Sequence, residues 1–432
     1  MTVAFDTHRE FAQALDRDDP LIDFRERFNH PAAEHGLSAV YLCGHSLGLQ
    51  PKDAVRYVQQ ELEDWGRLGV EGHFKARRPW LPYHRFATAG LAALTGASEN
   101  EVIAMNTLTV NLHVLMSTFY RPTSSRYRIL IESTAFPSDR FAAMSQIRLR
   151  GFDPTDGLIE WRPRDDEALH VDDLQRILEE SGEQIALLLL PGVQYYNGQL
   201  LDMRDICDRA RAQGCAVGLD LAHAIGNVPL QLHDWAPDFA AWCSYKYLNG
   251  GPGAVGGAFV HERHLDGDGS GQLLGWWGNA EKSRFDMAPT FDPARGAELW
   301  QLSNPPVLSL APVLASLKIF QEAGVDRLRN KSLHLTAYLA WLLEQRLGER
   351  VRCITPSDML GSQLSLTVTG RGLNARDVFR KLARQDVIAD WREPNVIRVA
   401  AAPLYNGFAD IFDFVERLHA AVEGRPAAAK KA

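Results

Sequence analysis

A chain of 432 residues, 46% of them hydrophobic, can bury a large core, and two closely packed domains are expected. Its net charge of -8, with an isoelectric point near 6.0, argues against nucleic acid or a membrane surface as the main partner. Five cysteines without CxxC spacing suit reduced thiols in a cytoplasm, MTVAFDTHREFAQ is too polar for a secretion signal, and the longest apolar run, Ile185 to Leu190, is too short to span a bilayer.

In chain order, PKDAVRYVQQELEDWGRLG opens on a proline and carries apolar residues at helical spacing. NTLTVNLHVLMSTFY reads as a second helix, YRILIES as a strand, and PSDRFAAMSQIRLRG and HVDDLQRILEESG as further helices. QIALLLLP, CAVGLDLA, FAAWCSY and AVGGAFVHE are short apolar runs bounded by Gly, Pro or Asp, with a helix at MRDICDRARAQG before the second of them. Near-continuous apolar strands separated by helices predict an α/β fold with a mostly parallel central sheet and helices on both faces. After about residue 308 one long helical stretch runs to LGER. QLSLTVTG, NARDVFRKLARQ, VIADW, VIRVAA and FADIFDFVERLHAAVEG then alternate on a smaller scale, which predicts a smaller α+β C-terminal domain. The expected division is 1–60, packing with the small domain, 61–308 as the large domain and 309–432 as the small one. The tail 425–432 is expected to be disordered, and the glycine-rich loop 266–272 to be exposed.

Three motifs mislead. Gly251, Gly253 and Gly256 spell GxGxxG, but the continuation GAFVHE reads as a strand, whereas a dinucleotide fingerprint opens a helix. HERH at 261–264 lacks the spacing that puts two imidazoles on one helical face. Cys353, in the apolar stretch VRCIT, reads as a small core residue.

The chemistry begins at CSYKYLNGGPG, where Lys246 follows a buried-looking strand. An ammonium buried without a partner is costly, so either Lys246 turns to water or its amine has work to do. A carbonyl cofactor such as pyridoxal phosphate would use it. Such a cofactor also needs a carboxylate for its ring nitrogen, and Asp220 ends the strand CAVGLD, at the strand edge where open α/β sheets bind ligands. It needs a phosphate cradle, which the backbone N–H groups and hydroxyls of a helix opening near Asn106, Thr107, Leu108 and Thr109 would provide. It needs an aromatic against its ring, and Phe136 in AFPSD follows a strand.

These residues carry a resemblance. DLAHAIGN, CSYKYLN, FPSD, NTLTVNLH, GWWG, LSNPP and IRVAAAPLYN, seven segments that match in the right order along the chain, are similar to segments of kynureninase over roughly residues 10 to 422. Kynureninase is a pyridoxal 5'-phosphate hydrolase of the aspartate aminotransferase fold superfamily, so the resemblance implies a fold-type I architecture and that cofactor. It implies Lys246 as the Schiff-base lysine, Asp220 as the pyridinium partner and His223 as a ring contact. Phe136, Pro137, Ser138 and Asp139 would pack on the cofactor, and Leu108, Thr109 and Tyr245 would hold its phosphate. Trp276 and Asn304 would reach an active site across a homodimer interface. Arg398 would grip the substrate α-carboxylate, a task suited to a bidentate fork. Pro191 departs from relatives with a serine there, and offers neither hydroxyl nor N–H.

The activity implied is hydrolysis of L-kynurenine or 3-hydroxy-L-kynurenine to an anthranilate and L-alanine. Lys246 would move a proton from the substrate's Cα, and Tyr245 would act as an acid and base or else only as a phosphate donor. His73, Ser303 and Asn304 match aryl-pocket positions of members that prefer the 3-hydroxy substrate, which makes that substrate the expected one. Two alternatives stay open: a cysteine desulfurase-like lyase, which would need a nucleophilic cysteine such as Cys353 on a mobile loop, and a silent ligand sensor on the same fold.

Overall fold

In the computed structural model, which describes residues 5–164, 168–267, 269 and 271–424, seven strands form the central sheet. They are β1 (Val102–Ala104), β2 (Arg128–Glu132), β3 (Leu158–Trp161), β4 (Ile185–Pro191), β5 (Ala216–Asp220), β6 (Phe239–Trp242) and β7 (Gly257–Val260), in spatial order β1-β7-β6-β5-β4-β2-β3. From β3 across to β6 all neighbours are parallel, and β7 runs antiparallel to both β6 and β1. β4 shows why: all of IALLLL is buried, because helices cover both faces. Two of these strands, VIA at 102–104 and LIEW at 158–161, are too short to announce themselves in the sequence.

The helices that matter for the site are α1 (Lys52–Leu68), α2 (Leu108–Phe119), α3 (Pro137–Leu149), α4 (Val307–Ala323) and α5 (Val325–Leu347). The single long helical stretch expected after residue 308 is two helices. Gly324, at φ +80°, ends α4, and α5 leaves at a bend of 82°. α4 is apolar nearly all round because it is packed nearly all round: Leu310, Ala311, Val313, Leu314 and Leu317 join the core of the large sheet, and α1 lies against it. A boundary at 308/309 therefore cuts through a helix of the large core. No single helix among the described residues is long and apolar enough to cross a membrane.

A second core surrounds an antiparallel sheet of β8 (Val351–Cys353), β9 (Gln363–Val368), β10 (Asp390–Arg392) and β11 (Val396–Ala400), in the order β8-β9-β11-β10. The N-terminal chain joins it. Val40 and Leu42 are buried there, Val40–Tyr41 pairs in parallel with Val387–Ile388, and the Ala400 N–H donates to the Leu42 carbonyl at 2.9 Å. Cys353 corrects the sequence reading: on edge strand β8 it is exposed rather than a core residue. The tail 425–432 lies outside the described residues, as do positions 268 and 270 of the loop expected to be exposed.

Candidate active site

The parallel strands end together, and their carboxyl ends carry the chemistry. β2 ends on Glu132, β4 on Pro191 and β5 on Asp220, with Pro191 and Asp220 in register. Beyond β6 the chain turns through Lys246 before returning as β7. A cleft of about 700 Å³ opens over these ends. Its lining includes Lys246, Tyr245, Asp220 and His223, together with Leu108, Thr109, Phe136, Ser138 and Asp139. The Lys246 Nζ stands 5.9 Å from the centre of the Phe136 ring and 6.0 Å from that of Tyr245.

Two helices begin at the cleft. Thr107 precedes α2 in extended conformation with no side-chain cap, so the first N–H groups of α2 stay free. Pro137 opens α3, a position where proline costs no hydrogen bond. The Thr109 and Ser138 hydroxyls, one from each first turn, lie 2.6 Å apart and share a hydrogen bond. Such paired helix starts favour an anion.

Three carboxyl groups gather on the floor. Asp220 is 8% exposed, and its Oδ1 accepts the Ala222 N–H at 2.7 Å. Burial pushes the Asp139 carboxyl well above its usual range, and the charge of Asp220 pushes it further. Burial likewise raises Glu132 to about 8. Buried carboxyls this close cannot all ionise. His223 is pushed the other way, well below its usual pKa, by burial first and then by the Lys246 charge, so its ring is neutral. The His223 Nδ1 and the Asp139 Oδ1 are buried with no partner.

Arg398 stands behind the cleft. It is 1% exposed, its Nη1 donates to the Tyr195 carbonyl at 2.6 Å, and its Nη2 pairs with Asp390. The loop 43–48 closes the same side, with the Gly48 N–H donating to the Tyr245 carbonyl at 2.8 Å.

The remaining expected residues lie elsewhere on the chain. His73 and Asn304 line a separate cavity of about 630 Å³ with Trp65, Trp80, Trp277 and the buried Glu61. Exposed Ser303 adjoins Asn304, and Trp276, 47% exposed, donates its indole N–H to the Arg284 carbonyl at 2.9 Å. None of the four lines the Lys246 cleft. Sequence reasoning missed Glu132, Tyr195, Asp390 and the loop 43–48. Glu132 was findable, since it ends an apolar strand just as Asp220 does. At HERH, the His261 Nε2 meets the His233 carbonyl at 3.2 Å and the His264 Nε2 meets Asp238 at 2.8 Å, so the two rings serve different partners.

The residues present fit pyridoxal phosphate: free helix N–H groups and hydroxyls for the phosphate, Asp220 for the ring nitrogen, an unpartnered His223 Nδ1 and a lysine within reach. Fold and site together define a fold-type I pyridoxal-phosphate-dependent enzyme. Among solved structures, the chain superimposes with a TM-score of 0.75 on a C-DES mutant with glycine covalently linked to its cofactor, at 19% identity over 90% of this chain and 99% of that one. A cysteine desulfurase from Escherichia coli gives 0.74 at 18% identity, covering 93% and 98%. The sequence comparisons are narrower. Residues 328–418 match the kynureninase C-terminal domain. A kynureninase of Koribacter versatilis is 50% identical over 96% of this chain and 98% of its own, and one of Myxococcus xanthus is 49% identical over 96% and 97%. The chain belongs to the kynureninase family, whose members are pyridoxal-phosphate enzymes that hydrolyse a carbon–carbon bond.

Proposed function

We propose that this chain hydrolyses the Cβ–Cγ bond of 3-hydroxy-L-kynurenine in preference to L-kynurenine, giving 3-hydroxyanthranilate or anthranilate and L-alanine. It does so as a cytoplasmic homodimer whose subunits share active sites. The observation that carries the reading is the cleft itself, with Lys246, Asp220, His223 and the paired starts of α2 and α3 around one space.

Leu108, Thr109 and Tyr245 hold the cofactor's phosphate, Phe136 to Asp139 and His223 pack on its ring, and Asp220 keeps its ring nitrogen protonated. Bound there, pyridoxal phosphate supplies an electron sink for charge that develops on the substrate. Lys246 takes the proton from the substrate's Cα. Arg398 receives the α-carboxylate. Tyr245 handles the proton on the oxygen that water adds at Cγ; burial raises its phenol pKa, so it carries its proton at neutral pH.

His73 and Asn304, which share a cavity away from Lys246, are the support for a composite site. In a dimer that cavity, with Ser303 and Trp276 beside it, faces the cleft of the second copy and meets the substrate ring. A ring hydroxyl placed against a prepared polar group is selected strongly, because the group is otherwise left unpaired. Five free cysteines suit a reducing compartment. We divide the chain into an N-terminal segment seated on the small sheet, a large domain that includes α4, and a small domain from α5 onward, in place of cuts at 60/61 and 308/309.

The test is turnover of cofactor-loaded protein on both substrates in parallel. A tenfold preference for the hydroxylated one, about 1.4 kcal/mol of discrimination, is expected. A preference for plain kynurenine removes the hydroxyl-reading role of His73 and Asn304, and turnover of neither removes the proposal. The desulfurase alternative fares poorly because Cys353 lies in a strand of the small sheet, not on a loop over the cleft.

A further inference from the structure

Arg398 cannot hold its attitude alone. Its guanidinium is buried, and a flexible side chain with five donors has many ways to satisfy a few of them. We propose that Asp390 is the positioning residue that fixes Arg398 to receive a substrate α-carboxylate, an inference that rests on the substrate-binding reading of Arg398 above.

The two residues face each other directly across β10 and β11. The Arg398 Nη2 donates to the Asp390 Oδ2, and lies 3.3 Å from the Ser46 Oγ, which itself donates to that carboxylate oxygen. Nη1 is tied to the Tyr195 carbonyl at 2.6 Å. Both ends of the fork are thus pinned from opposite sides, and the Nε, buried, has no partner.

The charge count points the same way. The second oxygen of Asp390 takes Arg392 at 3.1 Å, so two guanidinium groups share one carboxylate. Arg392 reaches water while Arg398 is buried, so the group keeps a surplus positive charge beside a buried guanidinium, which favours an anion there. Cys43, His45 and Asp390 do bring three potential ligand atoms within 4.8 Å of one another. A cation there would be repelled by Arg398, Lys246 and Arg392, whose charges add to burial, the larger cause, in holding the pKa of His45 well below its usual value. The surroundings select a carboxylate, not a metal. Burial, and after it the Arg392 charge, lowers the Arg398 pKa, and Asp390 is the largest opposing influence. Asp390, opposite it across the strand pair, therefore keeps the guanidinium aimed.

The experiment uses cofactor-loaded protein and two probes, L-alanine and ethylamine, which differ by one carboxylate. Each is titrated while the absorption of the bound cofactor is followed, and KM and kcat for L-kynurenine are measured alongside. The wild type is expected to bind L-alanine well above ethylamine. Asp390→Asn should weaken L-alanine at least tenfold, leave ethylamine within twofold, and raise KM at least tenfold with kcat within threefold. Equal weakening of both probes would make Asp390 a general support of the cleft and overturn the proposal, as would unchanged selectivity. If the asparagine variant does not retain cofactor, Asp390→Glu moves the charge by one methylene. A threefold loss of selectivity supports the proposal there, and full retention overturns it. Failure of the wild type to cleave kynurenine sinks the function above, yet the two probes still read the role of Asp390.

Discussion

Gly256 lies directly against the start of helix α2: a Cβ atom there would stand 3.3 Å from the Leu108 nitrogen and 2.7 Å from the Trp242 carbonyl oxygen. The segment entering β7 and the first turn of α2 can approach this closely only because that side chain is missing. Gly256→Ala is therefore expected to push the α2 start outward and weaken cofactor binding about tenfold, with a smaller loss in thermal stability. Equilibrium dialysis of the cofactor checks it, and unchanged affinity would show that the close approach is incidental.

The Thr109–Ser138 hydrogen bond joins the two helix starts at 2.6 Å. Thr109→Val removes the bond and the hydroxyl proposed to hold the phosphate together, while Ser138 remains. One such bond contributes about 0.5–1.5 kcal/mol, so cofactor affinity should fall by about three- to tenfold. Thr109→Ser should restore most of it.

Lys246 is the residue whose loss should be most complete. Borohydride reduction of the loaded wild type should fix the cofactor covalently to the peptide that contains Lys246, as mass spectrometry would show. Lys246→Ala should give no such adduct and no turnover. An adduct at another lysine would move the catalytic assignment.

Glu132 provides a test in pH. Its folded pKa, about 8, lies above its ordinary 4.5 because of burial. Between those values the folded protein holds a proton that the unfolded chain releases, so stability falls as pH rises through that window. Cofactor-free Glu132→Gln should lose less stability than the wild type between pH 5 and 8, and melt above it at pH 8. Parallel pH profiles for the two proteins would refute the assignment.

The proposed sharing of sites between subunits predicts complementation. Lys246→Ala and Asn304→Ala should each be strongly impaired as homodimers. A mixed dimer retains one site with both Lys246 and Asn304 intact. Mixing the unfolded or exchanged subunits should restore up to about a quarter of wild-type activity, from half the dimers with one good site each. No recovery on mixing would place Asn304 outside the site.

Close packing of the N-terminal loop on the Lys246 turn also shows why part of the site is invisible in one dimension. A Cβ on Gly48 would fall 2.3 Å from the Lys246 carbonyl oxygen, a contact between segments nearly 200 residues apart in a chain whose local patterns say nothing of it. By contrast, the buried strand Ile185–Pro191, the helix at Leu108 and the acid ending Ala216–Asp220 were legible, because apolar runs, a helix start and a strand end are local signals. GAFVHE was rightly read as a strand, which disposed of the dinucleotide motif. VRCIT was misread: its cysteine is exposed at the end of edge strand β8 although it shares a face with the buried Val351, so the covering of that face stops short of it.

What the sequence by itself determined is most of the elements, with Asp220 ending a strand, Lys246 following one and Arg398 inside one, together with the family resemblance. Only the tertiary structure decided that Glu132, Asp139 and Asp220 share one floor, that Arg398 answers to Asp390 across a strand pair, and that His73 and Asn304 leave the Lys246 cleft for another surface. The reason is physical. Periodicity and capping act between residues a few positions apart, whereas burial, charge coupling and shape are sums over whatever the fold brings within a few ångströms.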